Sequence, residues 1–350
     1  MDEVKDMLAR RAALSVTIGG HDATSYIEPY LLSFEFGDEA GGKSDEVQIE
    51  LHDRAGKWRE KWLPKKGTKI TAAIRCINWW GPGQNASLNC GTFKCDEVSY
   101  SGPPDKLKIK GVSASLHGKL RETNKTQAWE KFSLEGVAQD VASRNGLSLM
   151  YDADSHNFER QDQREESDLA FVTRLAEDRG VSVKVRDDKL ILYSEQKADA
   201  KGTKLTFTRT GGGYDAVSEY DFTVKSEGTS YEAAEVEYHD PATGQTHTYT
   251  YNPGGKKLTE ENTIKVLSMD KRVESQADAM ALAKNRMRGA NKGETTGNFT
   301  IMGHPGLVAG MTIGMSGFGK FSGKYFVTKA THSLGDKYTT KAEIRMTLGY

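Results

Sequence analysis

Gly91-Thr92-Phe93-Lys94-Cys95-Asp96-Glu97-Val98-Ser99-Tyr100-Ser101 aligns without a gap on Gly323-Lys324-Tyr325-Phe326-Val327-Thr328-Lys329-Ala330-Thr331-His332-Ser333, keeping the glycine, an aromatic residue, apolar positions and the closing serine. Upstream of each copy stands a Gly-x-x-Ile step, Gly67 to Ile70 and Gly310 to Ile313. A short-period array would signal a solenoid or propeller; a widely separated duplication points instead to two related β modules in one chain. Two unrelated hairpins with the same turn chemistry would also match over this length, so spacing alone leaves that alternative open. If Gly91 and Gly323 occupy equivalent tight turns, both need positive φ and should tolerate substitution equally badly. Two like modules invite pseudo-symmetric assembly.

Working outward from the first copy, residues 14–115 alternate with the period of two that places one strand face in a core. Val16 and Ile18, then Val47, Ile49 and Leu51, then Ile70, Ala72 and Ile74, then Phe93 and Cys95, and Leu107 and Ile109 follow it. Gly19-Gly20, Gly41-Gly42 and Gly102-Pro103-Pro104 supply the breaks. No helix long enough for a crossover intervenes, so an antiparallel barrel or sandwich is expected. Trp79 and Trp80, beside Gly81-Pro82-Gly83, fall at the tip of a long hairpin, where they make either a partner surface or a cap on the barrel.

The period changes in residues 121–195. Ser133 reads as an N-cap for a helix with Leu134, Val137, Ala138, Val141 and Ala142 on one face, closed by Asn145-Gly146. A strand follows over residues 147–151. A second helix runs from a Ser167 cap to Gly180, and Val181, Val183 and Val185 turn at Asp187-Asp188 into Leu190 and Leu192. The charged run at residues 152–166 reads as a solvated loop.

Alternation returns after Gly202, through Leu205 and Phe207, Tyr220, Phe222 and Val224, Ala234, Val236 and Tyr238, and Phe299 and Ile301. Residues 249–262 read as a loop. A helix capped by Ser275 gathers Lys284, Arg286 and Arg288 near its end, where the helix dipole favours cations and a solvated surface is expected. The expected fold class is mainly β with an α+β insertion: two related antiparallel β-barrel modules, residues 1–120 and 199–350, flank a small α+β domain, residues 121–198. One helix, near 275–289, is inserted in the second barrel.

Composition narrows the function classes. Lysine and arginine total 48 against 49 acidic residues, so no global field draws the chain to nucleic acid or an anionic membrane. A sequence-specific DNA-binding regulator would need a basic stripe that this balance does not provide. The amino terminus lacks an apolar segment of signal-peptide length and no later stretch is long enough to span a bilayer, so folding in the cytoplasm is expected. Without secretion the sequon Asn85-Ala86-Ser87 carries no meaning. Cys76, Cys90 and Cys95 are odd in number, have no metal-spaced partners, and read as structural thiols.

No catalytic, cofactor-binding or metal-ligating set is legible, and the chain reads as a non-enzyme. His239 and His247 flank a turn at Asp240-Pro241-Ala242-Thr243-Gly244, and a metal pair across it is geometrically open but disfavoured. Asp96 and Glu97 are adjacent on a strand and point to opposite faces. Gly211-Gly212-Gly213 lacks the Lys-Ser/Thr of a phosphate loop and reads as a turn.

Taken in order, these segments resemble the phage late control D family, the tail hub proteins of contractile-tailed phages and tailocins, related to the hub part of type VI spike proteins. In the first module the resemblance rests on Gly42-Lys43-Ser44-Asp45-Glu46-Val47-Gln48-Ile49-Glu50-Leu51, Asp53-Arg54-Ala55-Gly56-Lys57-Trp58, and Cys90-Gly91-Thr92-Phe93 through to Ser101-Gly102-Pro103-Pro104-Asp105. Ser167-Asp168-Leu169-Ala170-Phe171-Val172-Thr173-Arg174-Leu175-Ala176 carries it in the middle. Gly303-His304-Pro305-Gly306-Leu307, Gly310-Met311, Gly323-Lys324-Tyr325 and His332-Ser333 carry it in the last module. Each is a loose turn-and-strand signature; order and coverage make the match specific.

The resemblance implies a homotrimer whose two barrels per chain form a ring of six, joining a hexameric tail tube to a trimeric central spike. It also implies contacts with tape-measure or other baseplate proteins, a place in the virion tail or tailocin particle after assembly in the host cytoplasm, and passage of DNA through the channel. The chain stops at Tyr350 with no spike domain appended, so the spike is expected to be a separate protein. Alternatives are a hub component of a type VI or extracellular contractile injection system, and a cell-wall-binding or degrading tail protein contacting glycan through Tyr151 or Phe158.

Overall fold

The computed structural model describes residues 9–113, 119–210, 213–240, 243–255, 265–273 and 275–350. The Gly211–Gly213 turn, the turn through Pro241 and Ala242, and the later part of the loop expected at 249–262 fall wholly or partly outside these residues. Among the described residues no helix is long and apolar enough to cross a membrane.

The first module is built from β1 (Arg11–Ile18), β2 (His21–Asp22), β3 (Leu31–Glu39), β4 (Glu46–His52), β5 (Lys69–Ile77), β6 (Ala86–Ser101) and β7 (Lys106–Val112), in spatial order β3-β4-β7-β6-β5-β1-β2. Alternation sends Phe34, Phe36, Val47, Ile49, Leu51, Ile70, Ile74, Phe93, Leu107 and Ile109 into one dry core. Burying each such side chain is worth about 1.5–3 kcal/mol. Cys76, Cys90 and Cys95 are free thiols in this core. Burial pushes Cys76 up to about 11 and Cys90 up to about 12, leaving both protonated at neutral pH.

The middle segment carries β8 (Asn124–Ser133), α1 (Leu134–Arg144), β9 (Ser148–Asp152), β10 (Asn157–Ser167), α2 (Asp168–Glu177), β11 (Val181–Arg186), β12 (Lys189–Ser194) and α3 (Glu195–Ala200). Ser133 Oγ accepts from Gly136 N and Ser167 Oγ from Ala170 N, so both expected caps form. The apolar faces of α1 and α2 pack over the sheet β11-β12-β9, burying Val141, Phe171, Val172, Leu190 and Leu192. The charged run at 152–166 is not a loop: β10 pairs antiparallel with β8, Gln161 opposite Trp129 and Asp162 opposite Ala128. Most side chains of this ribbon face water on both sides, so it carries too little apolar alternation to be read as strand.

The last segment carries β13 (Leu205–Thr208), β14 (Val217–Val224), β15 (Ala233–Asp240), β16 (Gln245–Tyr251), β17 (Val266–Val273), α4 (Gln276–Asn291), β18 (Thr295–Met302), β19 (Thr312–Ser316), β20 (Gly323–Leu334) and β21 (Tyr338–Met346). Only part of it is barrel. β16, β15 and β17 form a separate sheet on which α4 lies, with a core of Ala234, Val236, Ala279, Leu282, Ala283 and Met287. The alternation at 234–238 therefore belongs to this insertion, because period two reports a half-buried strand and not which sheet buries it. Phe207, Phe299, Ile301, Ile313, Tyr325, Val327, Ala342 and Ile344 fill the second barrel. The two modules also share backbone hydrogen bonding: β20 bonds β3, so among the described residues both lie in one 13-stranded sheet.

Candidate functional site: the seam between the modules

Pairing registers make the duplication concrete. In the first module Ile70 faces Phe93 and Ala72 faces Gly91; in the second Ile313 faces Tyr325 and Met315 faces Gly323. Gly67 N donates to Cys95 O at 2.7 Å and Cys95 N to Thr68 O at 2.9 Å, while Gly310 N donates to Val327 O at 2.9 Å and Val327 N to Met311 O at 2.9 Å. Gly67 and Gly310 have φ of +81° and +84°. β6 slips against β7 between Cys95 and Glu97, and β20 against β21 between Val327 and Lys329. β3 slips against β4 between Leu31 and Ser33, and β14 against β18 between Val217 and Glu219. Shared register and shared bulges define one fold used twice. The unlike strand is the first, since β1 runs antiparallel to β5 whereas β13 runs parallel to β19.

Gly91 and Gly323 are corresponding strand residues rather than tight turns, and their surroundings differ. A Cβ on Gly91, at φ +100°, would lie 3.0 Å from Asp187 Oδ1; one on Gly323, at φ +155°, would meet only Met346 Cε at 3.7 Å. Docking of the β11–β12 turn on β6 breaks the expected equality.

β20 is long enough to serve both modules. Its first residues pair with β19, and past the bulge residues 329–334 pair with β3, from Lys329 opposite Glu39 to Leu334 opposite Phe34. Lys329 Nζ lies 2.9 Å from Glu39 Oε1. His332 is fully enclosed in this seam, stacked on Phe36 with ring centroids 6.0 Å apart. The Leu307 carbonyl, 3.0 Å from Nε2, can only accept, so Nε2 carries the proton and Nδ1 accepts from Tyr338 Oη at 2.8 Å. Burial moves this imidazole down to about 4.

The middle segment clamps the seam. Asp38 and Asp45, each 1% exposed, both face Lys184 Nζ, at 2.7 and 3.1 Å. Arg186 Nη1 adds a contact to Asp38 at 3.3 Å, and Asp38 Oδ2 accepts from Ala309 N of the second module at 2.9 Å. Burial raises the Asp45 carboxyl above its ordinary range, with Lys184 opposing. Asp199 on α3 forms a second junction, with Arg288 Nη2 at 2.8 Å and Arg345 Nη2 at 3.0 Å. Arg288 is thus buried and ion-paired rather than part of a solvated cluster, and Arg286 pairs with Asp178 at 2.6 Å.

Trp79 and Trp80 also belong to the seam. Trp79 is buried, its Nε1 donating to Gly303 O at 2.8 Å, and Trp80 lies 4.9 Å from His304 and 4.8 Å from Tyr214 between ring centroids. Of the two readings, partner surface or barrel cap, the structure shows a contact surface whose partner is the second module of the same chain. No sequence signal locates this partner, because hairpin length reports only that the tip projects.

The remaining candidates are not brought together as a site. Tyr238, not His239, stands opposite His247, and His239 pairs with Thr246. Tyr151 donates to Asp154 O, and Phe158 stacks on Phe132 at 5.2 Å beneath Arg179, so both are engaged in the middle core. Among the described residues no group of three His, Cys, Asp or Glu could hold a metal ion.

Comparison with known proteins adds to this geometry. The model of the family described as phage tail baseplate hub (GPD) matches residues 112–338. The probable baseplate hub proteins of Escherichia phages 186 and P2 are 32% and 33% identical over 207 and 202 residues, which is 57% and 56% of this chain and 50% and 49% of theirs. The chain spans about half the length of these curated relatives. A 43 kDa tail protein of prophage MuSo2 from Shewanella oneidensis matches with a TM-score of 0.71 at 13% identity, over 96% of this chain and 99% of that one. A tail protein from Neisseria meningitidis MC58 gives 0.69 at 13%, over 95% and 96%. An E. coli component of the type VI secretion system gives 0.56 at 11%, over 97% and 77%. At these identities the structural likeness is one of fold.

Proposed function

This chain belongs to the phage tail baseplate hub (GPD) family, and from that premise we propose that it is the structural hub of a contractile tail or tailocin, a homotrimer presenting six barrels in a ring. The observation that carries the reading is the seam. It joins the long strand of one module to the β3-type strand of the other, which is a head-to-tail contact between like units and not a self-complementary one. Contacts of that kind close into rings when the rotation permits. Three chains with two like modules each match a six-fold neighbour on one side and a three-fold neighbour on the other. The first is a tail tube and the second a central spike, with tape-measure or other baseplate proteins as further partners.

The mechanism is mechanical. The ring closes the tube before contraction, passes force to the spike, and lines the exit path for DNA. Assembly takes place in the host cytoplasm and the mature location is the virion tail. The role needs no cofactor or catalytic residue. The same fold in a type VI component extends the reading to related injection systems.

Light scattering of the purified chain across a concentration series tests the oligomer. A trimer is expected. A monomer at every concentration overturns the ring.

A further inference from the structure

The two ends of the chain's barrel pair are left open in a way the duplication makes legible. In the second module, residues 329–334 of β20 are covered by β3, and Ala330, His332 and Leu334 are buried. The corresponding stretch of β6, residues 97–101, pairs with β7 on one side only among the described residues. There Glu97, Ser99, Tyr100 and Ser101 are exposed and Val98 half-buried. In the first module β3 is covered on both sides, with Phe34, Phe36, Gly37 and Asp38 buried. Its counterpart β14 ends the sheet, with β18 on one side only among the described residues. Tyr220 is 45% and Val224 59% exposed. Strands that are core at the intrachain seam are therefore surface at the chain's outer edges.

We propose, on the basis of the ring reading above, that residues 97–101 of β6 in one copy add as a strand to the open edge of β14 in the next copy, in the register of the internal seam. The shared bulges place Glu97 at the position of Lys329, Val98 at Ala330, Ser99 at Thr331 and Tyr100 at His332. They also place Phe222 at the position of Phe36, and hence Thr223 at Gly37, Val224 at Asp38 and Lys225 at Glu39. Transferring the register sets Glu97 opposite Lys225, Val98 opposite Val224, Ser99 opposite Thr223 and Tyr100 opposite Phe222.

The chemistry of these pairs is independent of the symmetry argument. Inside the chain the first pair is Lys329 with Glu39; between copies it becomes Glu97 with Lys225, the same ion pair with its signs exchanged. Val98 with Val224 is a β-branched cross-strand pair, and Tyr100 with Phe222 repeats the ring stacking of His332 on Phe36. An exposed edge carrying valine and aromatic residues is a liability in a monomer and a template for pairing in an assembly. The occupant is a second copy of this chain, because no other surface is related by construction to the strand that already covers β3.

Engineered cysteines read the register. Val98→Cys combined with Val224→Cys, and separately Ser99→Cys combined with Thr223→Cys, are oxidised at a concentration where the wild type is trimeric. Two adjacent pairs are needed because only one of them is the closely spaced, non-hydrogen-bonded kind. Covalent dimers and trimers are expected from one of the two variants, and none from the off-register combination Val98→Cys with Tyr220→Cys. Separately, Glu97→Lys should lose the trimer, as should Lys225→Glu, and the double variant should recover it. A wild-type trimer with no link at either in-register pair and no charge-swap recovery overturns this interface while leaving the hub reading intact. A wild type that never associates overturns the ring and this interface together.

Discussion

Lys184 on β11 places its ammonium 2.7 Å from Oδ1 of Asp38 on β3, with the lysine side chain 9% and the aspartate 1% exposed. Asp38 in turn accepts from Ala309 N, so one carboxylate ties together both modules and the segment inserted between them. Lys184→Met would leave Arg186 as the cation beside both carboxylates, 3.3 Å from Asp38 and 3.9 Å from Asp45. Breaking a buried pair costs about 3–5 kcal/mol. The melting temperature at pH 7 should fall sharply. Without the ammonium the Asp45 carboxyl, already raised by burial, rises further, and a group whose folded pKa is raised stabilises below its unfolded pKa and loses that contribution as pH rises. The deficit of Lys184→Met relative to wild type should therefore shrink toward pH 4. A pH-independent deficit would rule out the electrostatic account.

Gly67 and Gly310 offer a paired test of the duplication. Both have φ near +80°, and a Cβ at either meets nothing within 4 Å, so only backbone conformation is at stake. Gly67→Ala and Gly310→Ala should each cost about 1–2 kcal/mol, equal within error in chemical denaturation. Gly91→Ala should cost more than Gly323→Ala, because Asp187 crowds the first and nothing comparable crowds the second.

His332 makes the seam pH-sensitive. Its folded pKa, about 4, lies below the ordinary 6.5. Between those values the unfolded chain binds a proton that the folded chain does not, so stability is full above about 6.5 and falls as pH drops toward 4. The loss is at most about 3 kcal/mol. The slope of melting temperature against pH in that window should flatten in His332→Gln; an unchanged slope would assign it to other groups.

Trp79 and Gly303 supply the fourth test. Trp79→Phe removes the indole donor from Gly303 O in a buried contact, which should cost about 1–3 kcal/mol. Gly303→Ala is predicted to be worse. Its Cβ would fall 2.1 Å from Cδ1 of Tyr338, whose hydroxyl is held by His332, so either the ring or the backbone must shift. Proteolysis at the hairpin tip should become faster in both variants.

Much of the local structure was legible along the chain. Ser133, Ser167 and Ser275 all cap the helices they precede, and Asp187-Asp188 turns β11 into β12 with both residues at positive φ. These signals are local: a cap or a turn is decided by residues within a few positions of one another. The β8–β10 ribbon was not legible, because its residues lie 24 to 43 positions from their partners and many of them expose polar side chains.

By itself the sequence determined that one segment occurs twice, each copy behind a Gly-x-x-Ile step; the shared register and bulges that make the two copies one fold came from the structure. It also picked out Val47, Ile49, Leu51, Ile70, Ile74, Phe93, Leu107 and Ile109 of the first barrel's core, where alternation and apolar content coincide, but not Phe34 and Phe36 on β3. Only the tertiary structure decided that β20 crosses to β3, that Trp79 closes on Gly303, and that Arg288 is buried beside Asp199. The physical reason is range. Periodicity states that a face is buried, but the identity of what buries it is a contact between residues some 90 to 300 positions apart, set by how whole sheets pack and invisible to any pattern in one segment.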